Sequence, residues 1–101
     1  KGTKYVCVEK DTCNFRCPSG NCSFVCKPGS DCKATCAGGY CAETCRKGAS
    51  CKFTCAGGYC EQQLGVQTKG KLRCSGGYCN QKTMKRAKAR LSCSGGYCAP
   101  I

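Results

Sequence analysis

Histidine and tryptophan are missing from this 101-residue chain, and methionine occurs once. Without histidine there is no imidazole to act as a general base or as the commonest protein metal ligand. Only five carboxylates are present, Glu9, Asp11, Asp31, Glu43 and Glu61, and they are scattered along the chain. No glycine motif follows a strand and opens a helix, as a phosphate cradle requires. These absences weigh against an enzyme, against a cofactor and against a small-molecule substrate. Large apolar side chains are equally scarce, since three Phe among fourteen Gly cannot build a conventional core. No apolar run has the length of a signal peptide or a membrane span, so the chain reads as a mature secreted product whose targeting segment is gone.

Cysteine is what the chain has in excess. Sixteen in 101 residues mark a disulfide scaffold in place of a core. The competing use for so many thiols is metal, yet the sequence contains no C-x-C and no C-x-x-C pair. No metal site is therefore expected, and the setting is oxidising and extracellular. Seventeen Lys and Arg against five acids give a net charge of +12. That charge makes an anionic polysaccharide or a membrane surface the expected partner. Acidic residues thin out along the chain: residues 61–101 hold eight basic side chains and only Glu61.

Order comes from repetition. The phrase Cys36-Ala-Gly-Gly-Tyr-Cys41 returns at 55–60 and, with Ser for Ala, at 74–79 and 93–98, and Cys17 to Cys22 is a looser copy. First cysteines recur every nineteen residues from Cys17 to Cys93, and second ones every nineteen from Cys22 to Cys98. A fixed period near twenty, without insertion, belongs to units that stack because none can bury a face alone. Residues 1–101 are read as one repeat domain: a half coil over 1–12, coils over 13–31, 32–50, 51–69 and 70–88, and a partial coil over 89–101. The fold class is all-β, a disulfide-laddered, two-sided β-solenoid of nineteen-residue coils, about five in number.

Each coil holds two short strands, represented by 13–17 and 22–26, because cysteines four apart point to one face of a strand. Pro18 to Asn21 and Lys27 to Asp31 turn the two corners. Midway along the first strand the inward column runs Phe15, Ala34, Phe53, Leu72 and Leu91, all apolar, and every outward neighbour is polar. The second inward column runs Tyr5, Phe24, Glu43, Gln62 and Gln81. It is either a hydrogen-bonded amide ladder or a narrow, wet side. Residues 80–91 would form a basic amphipathic helix in isolation, but they keep the nineteen-residue register and are assigned to the coil.

Two cysteine columns stop together after Cys51, leaving Leu64, Gly70, Thr83 and Ala89 in their places, while the C-x-G-G-Y-C pair persists. Joint loss implies joint pairing. The pairs are Cys7 to Cys13, Cys17 to Cys22, Cys26 to Cys32, Cys36 to Cys41, Cys45 to Cys51, Cys55 to Cys60, Cys74 to Cys79 and Cys93 to Cys98. Joining Cys13 to Cys26 and Cys32 to Cys45 instead strands Cys7 and Cys51 more than two coils apart. Gly38 and Gly39, with their equivalents, are expected to supply positive φ at the corner.

Two outward columns are candidates for function. Lys33, Lys52, Lys71 and Arg90 project from successive rungs, with Arg16 and Arg73 as neighbours, and form an expected anion-binding ladder. Like charges about 4.8 Å apart repel by about 1 kcal/mol even in water. A protein in need of solubility alone has no use for a ladder of one sign, although splayed lysines also deter sheet-to-sheet aggregation. Tyr40, Tyr59, Tyr78 and Tyr97 form an aromatic ladder that stabilises the array by stacking, or docks sugar rings or headgroups if exposed.

In architecture the chain resembles the disulfide-braced β-solenoids of beetle antifreeze proteins, but with a longer coil. A threonine face is lacking, since Thr35 and Thr54 make only two rungs, and ice binding is not implied. The C-A-G-G-Y-C phrase, with C-x-x-x-C before it, is similar to tandem cysteine-rich repeats in secreted cnidarian proteins. Secretion and a non-enzymatic role are what that second resemblance implies. The expected function is binding of anionic surfaces or polymers by a toxin-like or defence effector. The alternative is a structural protein of a matrix, capsule or fibre, assembled by end-to-end self-association of solenoids.

Overall fold

Alternation of small or apolar residues with polar ones, broken every few residues by a turn, makes two short strands in each nineteen-residue unit. The computed structural model describes residues 3–76, 78–93 and 99–100. The strands of one side are β1 (Lys4–Cys7), β3 (Ser23–Cys26), β5 (Ala42–Cys45), β7 (Glu61–Leu64), β9 (Asn80–Thr83) and β11 (Ala99–Pro100). Those of the other are β2 (Thr12–Cys17), β4 (Asp31–Cys36), β6 (Ser50–Cys55), β8 (Lys69–Cys74) and β10 (Lys88–Cys93). The first sheet runs β1-β3-β5-β7-β9-β11 and the second β2-β4-β6-β8-β10, so the chain is an all-β solenoid of about five coils. Every pairing is parallel and joins residues nineteen apart, as in Tyr5 with Phe24, Lys33 with Lys52 and Gln62 with Gln81. Among the described residues there is no helix, and 80–91 divides between β9 and β10.

Strand limits shift by one residue from 13–17 and 22–26. At Cys22 the ladder leaves the backbone: its N–H donates to the sulfur of Cys41 at 3.4 Å, and that of Cys41 to the sulfur of Cys60 at 3.4 Å. Seven of the eight expected disulfides are described, with Cα–Cα distances from 5.9 to 6.4 Å. The Cys93 to Cys98 pair and Tyr97 lie outside the described residues. A framework this dense in disulfides is typical of extracellular proteins.

Between the sheets lie most of the described cysteines with Phe24, Ala34, Phe53, Leu64 and Leu72, all buried, while Cys13 and Cys93 are half-buried. The inward column fails at its ends. Phe15 is half-buried, and Leu91 is 43% exposed. Both sit on the outermost strands of the second sheet, β2 and β10, where a coil covers them on one side only. At the first end the deficit is filled by Tyr5, whose ring stands 5.1 Å from Phe15 and 5.3 Å from Phe24 between centroids.

Where cysteines are lost, other atoms take their volume. Leu64 and Gly70 occupy the rung after Cys45 and Cys51, and Leu64 is fully buried. A β-carbon on Gly70 would lie 2.7 Å from Cδ2 of Leu64. A branched side chain opposite a bare α-carbon thus replaces a disulfide by packing.

The two corner glycines do different work, contrary to the expectation of positive φ at both. Gly39 has φ +80° and Gly58 +81°, but Gly38 and Gly57 lie outside the left-handed region. A β-carbon on Gly57 would instead strike the backbone of Gly38 and Gly39 in the coil below. The second left-handed residue of the corner is the tyrosine, with φ 56° at Tyr40 and Tyr59 and 55° at Tyr78.

Candidate functional site

Side chains that alternate along a parallel strand emerge on one face in columns, and on the second sheet the middle outward column is cationic on four of its five rungs. Lys33 pairs with Lys52, Lys52 with Lys71 and Lys71 with Arg90, and all four are exposed. The expected ladder is thus assembled over four rungs. Arg16 and Arg73 are also exposed, but Thr35 and Thr54 stand between them in the column. Arg73 flanks Lys71 two positions along β8, as expected, whereas Arg16 stands beside Asn14, one rung before the ladder begins, and Ser92 closes the column.

Two positions earlier on each strand lies a column missing from the expected ladder: Thr12, Asp31, Ser50, Lys69 and Lys88. It is neutral or acidic in the first three coils and cationic in the last two. Residues two apart on one strand share a face, so Lys69 and Lys88 flank Lys71 and Arg90. Between the two columns runs a groove of about 520 Å³ lined by Ser50, Lys52, Lys69, Lys71, Lys88 and Arg90, with Asp31 as its one lining carboxylate. Its floor is the strand backbone at Cys51, Gly70 and Ala89. Five cations around one carboxylate leave the groove strongly positive.

Tyrosines form the other surface column. Tyr40 and Tyr59 stack with centroids 4.9 Å apart and planes within 3°, and Tyr59 and Tyr78 at 5.0 Å and 4°. Their rings cover one another's faces and remain about half exposed at the edges. Stacking offsets the roughly 1 kcal/mol that a bulky left-handed residue costs. In the first coil the equivalent position is Asn21, which takes φ 58° readily and has no ring to stack.

The polar inward column is a buried ladder. Glu43 and Gln62 are fully buried and Gln81 nearly so. Nε2 of Gln81 donates to Oε1 of Gln62 at 3.0 Å, and Nε2 of Gln62 donates to Oε1 of Glu43 at 2.8 Å. The same amides donate across the interior to carbonyls of the second sheet, Gln62 to Arg73 at 2.9 Å and Gln81 to Leu72 at 3.2 Å. The wet-interior alternative is thereby excluded. On the preceding rung stands Phe24, which has no donor, and Oε2 of Glu43 is left without a partner. Burial pushes the Glu43 carboxyl up to about 8, against the hydrogen bond from Gln62, which pulls it down.

Stacked disulfides also bring cysteine sulfurs of adjacent coils within 4.8 Å of one another, as at Cys36, Cys55 and Cys60. Each of these sulfurs is held in a disulfide, whereas metal binding uses the thiolate.

No protein-family model, curated protein or solved structure matches this chain. The likeness to cnidarian repeats therefore rests on the repeat phrase alone.

Proposed function

We propose that this chain is a secreted, non-enzymatic protein that binds anionic polymers or surfaces through the outer face of its second sheet, as a toxin-like or defence effector does. One observation carries the reading: four cations, Lys33, Lys52, Lys71 and Arg90, stand in register on consecutive rungs. Their mutual repulsion is a standing cost, and a ligand with repeated negative charge relieves it. Binding by such a ladder should weaken steeply with salt, because each contact releases counterions.

Salt sensitivity alone does not separate a site from general stickiness. The test compares two triple variants of equal charge, K33Q/K52Q/K71Q and K4Q/K27Q/K47Q, on polyphosphate and on a sulfated polysaccharide. Aligned charges act together, so the first triple should lose at least tenfold more affinity than the second. Equal losses would reduce the ladder to a solvated face.

A second reading, a matrix or fibre component built by end-to-end stacking, draws support from the exposed Leu91 at one end and half-buried Phe15 at the other. A net charge of +12 opposes it at low salt. Light scattering across concentration and salt distinguishes the two.

A further inference from the structure

The groove beside the lysine ladder has a shape that total charge does not require. Its walls are side-chain columns two residues apart on each strand, about 6.6 Å, and its length over Asp31, Ser50, Lys69 and Lys88 is about 14 Å. The amides and carbonyls of the floor are engaged in the parallel ladder, and Lys and Arg stems line the sides, so the trough is mostly apolar at the bottom. It is cationic along one rim and, after Asp31 and Ser50, over the last two rungs of the other. One rim carries Lys52, Lys71 and Arg90, the other Lys69 and Lys88.

Resting on the anion-binding reading above, we infer that this groove takes a linear sulfated or carboxylated polysaccharide lying along the solenoid axis, one sugar unit to each rung. A sugar ring has an apolar face for the floor and substituents on both edges that carry anionic groups to both rims. Its advance along an extended chain is close to the strand spacing of about 4.8 Å. Polyphosphate has charge but no apolar face, and the floor gives it nothing. A bilayer is too broad to enter a trough this narrow and would touch only the rims. The groove is also polar in direction along the axis: Asp31 repels anionic groups at the N-terminal end, and five cations hold them at the other. Ligand should therefore engage the coils of Lys52 to Arg90 before that of Lys33.

Three probes are titrated at one salt concentration: chondroitin sulfate oligosaccharides of graded length, linear polyphosphate of matched charge, and vesicles of phosphatidylcholine with phosphatidylserine. With the unaltered protein, affinity for the oligosaccharides should climb until the chain fills the groove, at about four sugar units, and then level off. Ser50→Leu, which narrows the trough without changing charge, should cost about tenfold for the oligosaccharides and less than about twofold for polyphosphate. Asp31→Ser, which removes the repelling carboxylate, should raise oligosaccharide affinity several-fold. If S50L affects neither polymer while K33Q/K52Q/K71Q weakens both, the anion-binding reading stands and the polysaccharide groove falls. Vesicle binding that exceeds oligosaccharide binding and ignores S50L overturns it in favour of a membrane surface. Should the two charge-matched triples behave alike, the underlying reading itself is lost.

Discussion

Replacing Glu43 by Gln tests the buried ladder most directly, because it removes an ionisation without removing a side chain. In the folded protein the carboxyl titrates at about 8, against 4.5 for its ordinary value, and desolvation is the larger cause. A raised acid pKa means that the folded state holds the proton more tightly than the unfolded one. The stability tied to that proton is complete below about pH 4.5, declines as the pH rises, and is gone above about pH 8. At 1.36 kcal/mol per unit, the loss is about 3 kcal/mol by pH 7 and about 5 kcal/mol by pH 9. E43Q has nothing to ionise, and its amide oxygen can still accept from Nε2 of Gln62. It should match the unaltered protein near pH 4 and exceed its stability by about 3 kcal/mol at neutral pH. The assay is guanidinium unfolding of the oxidised proteins at three pH values, followed by far-ultraviolet circular dichroism. A stability that is flat between about pH 4 and pH 9 in both proteins would refute the buried, protonated carboxyl.

Other parts of the fold give equally specific expectations. Restoring the lost bond with L64C/G70C should gain well under the about 2 kcal/mol of the chain-entropy model, because a β-carbon at residue 70 would lie 2.6 Å from the backbone oxygen of Cys51 and the strand must shift to admit it; mass mapping and guanidinium unfolding check it, and the full gain would contradict it. Gly57→Ala should cost more than about 3 kcal/mol or prevent folding, since its β-carbon meets backbone that cannot turn aside. Gly48→Ala should cost only about 1 kcal/mol, because φ +74° is its sole obstacle and no atom lies within 4 Å. Amide exchange should be faster in residues 61–93 than in 3–60, where six of the seven described disulfides fall; uniform exchange would contradict it.

Coil length, strand placement and the pairing of fourteen cysteines were legible because each depends on intervals within one unit, repeated without slippage. Leu64 and Gly70 could be placed in the vanished cysteine columns by counting, although that one fills the space the other leaves is visible only in three dimensions. Glu43, Gln62 and Gln81 were not assignable in the same way. Their burial depends on carbonyls of Arg73 and Leu72 in the facing sheet, and the distance across the interior is no property of spacing. The first corner glycine was misread for a related reason, since its constraint is the coil below and not its own φ. Lys69 and Lys88 escaped notice because their column opens with Thr12, Asp31 and Ser50, so a search for columns of one sign passes over it. The rule that alternate residues share a face would have found them.

Column continuity bears on the two functional readings. On the outer face of the second sheet Lys33, Lys52, Lys71 and Arg90 follow one another over four consecutive rungs without a break. A ligand with repeated negative charge laid along the axis meets every one of them, whereas coils of like charge brought end to end repel at low salt. Charge and column geometry thus weigh together on the side of lateral binding.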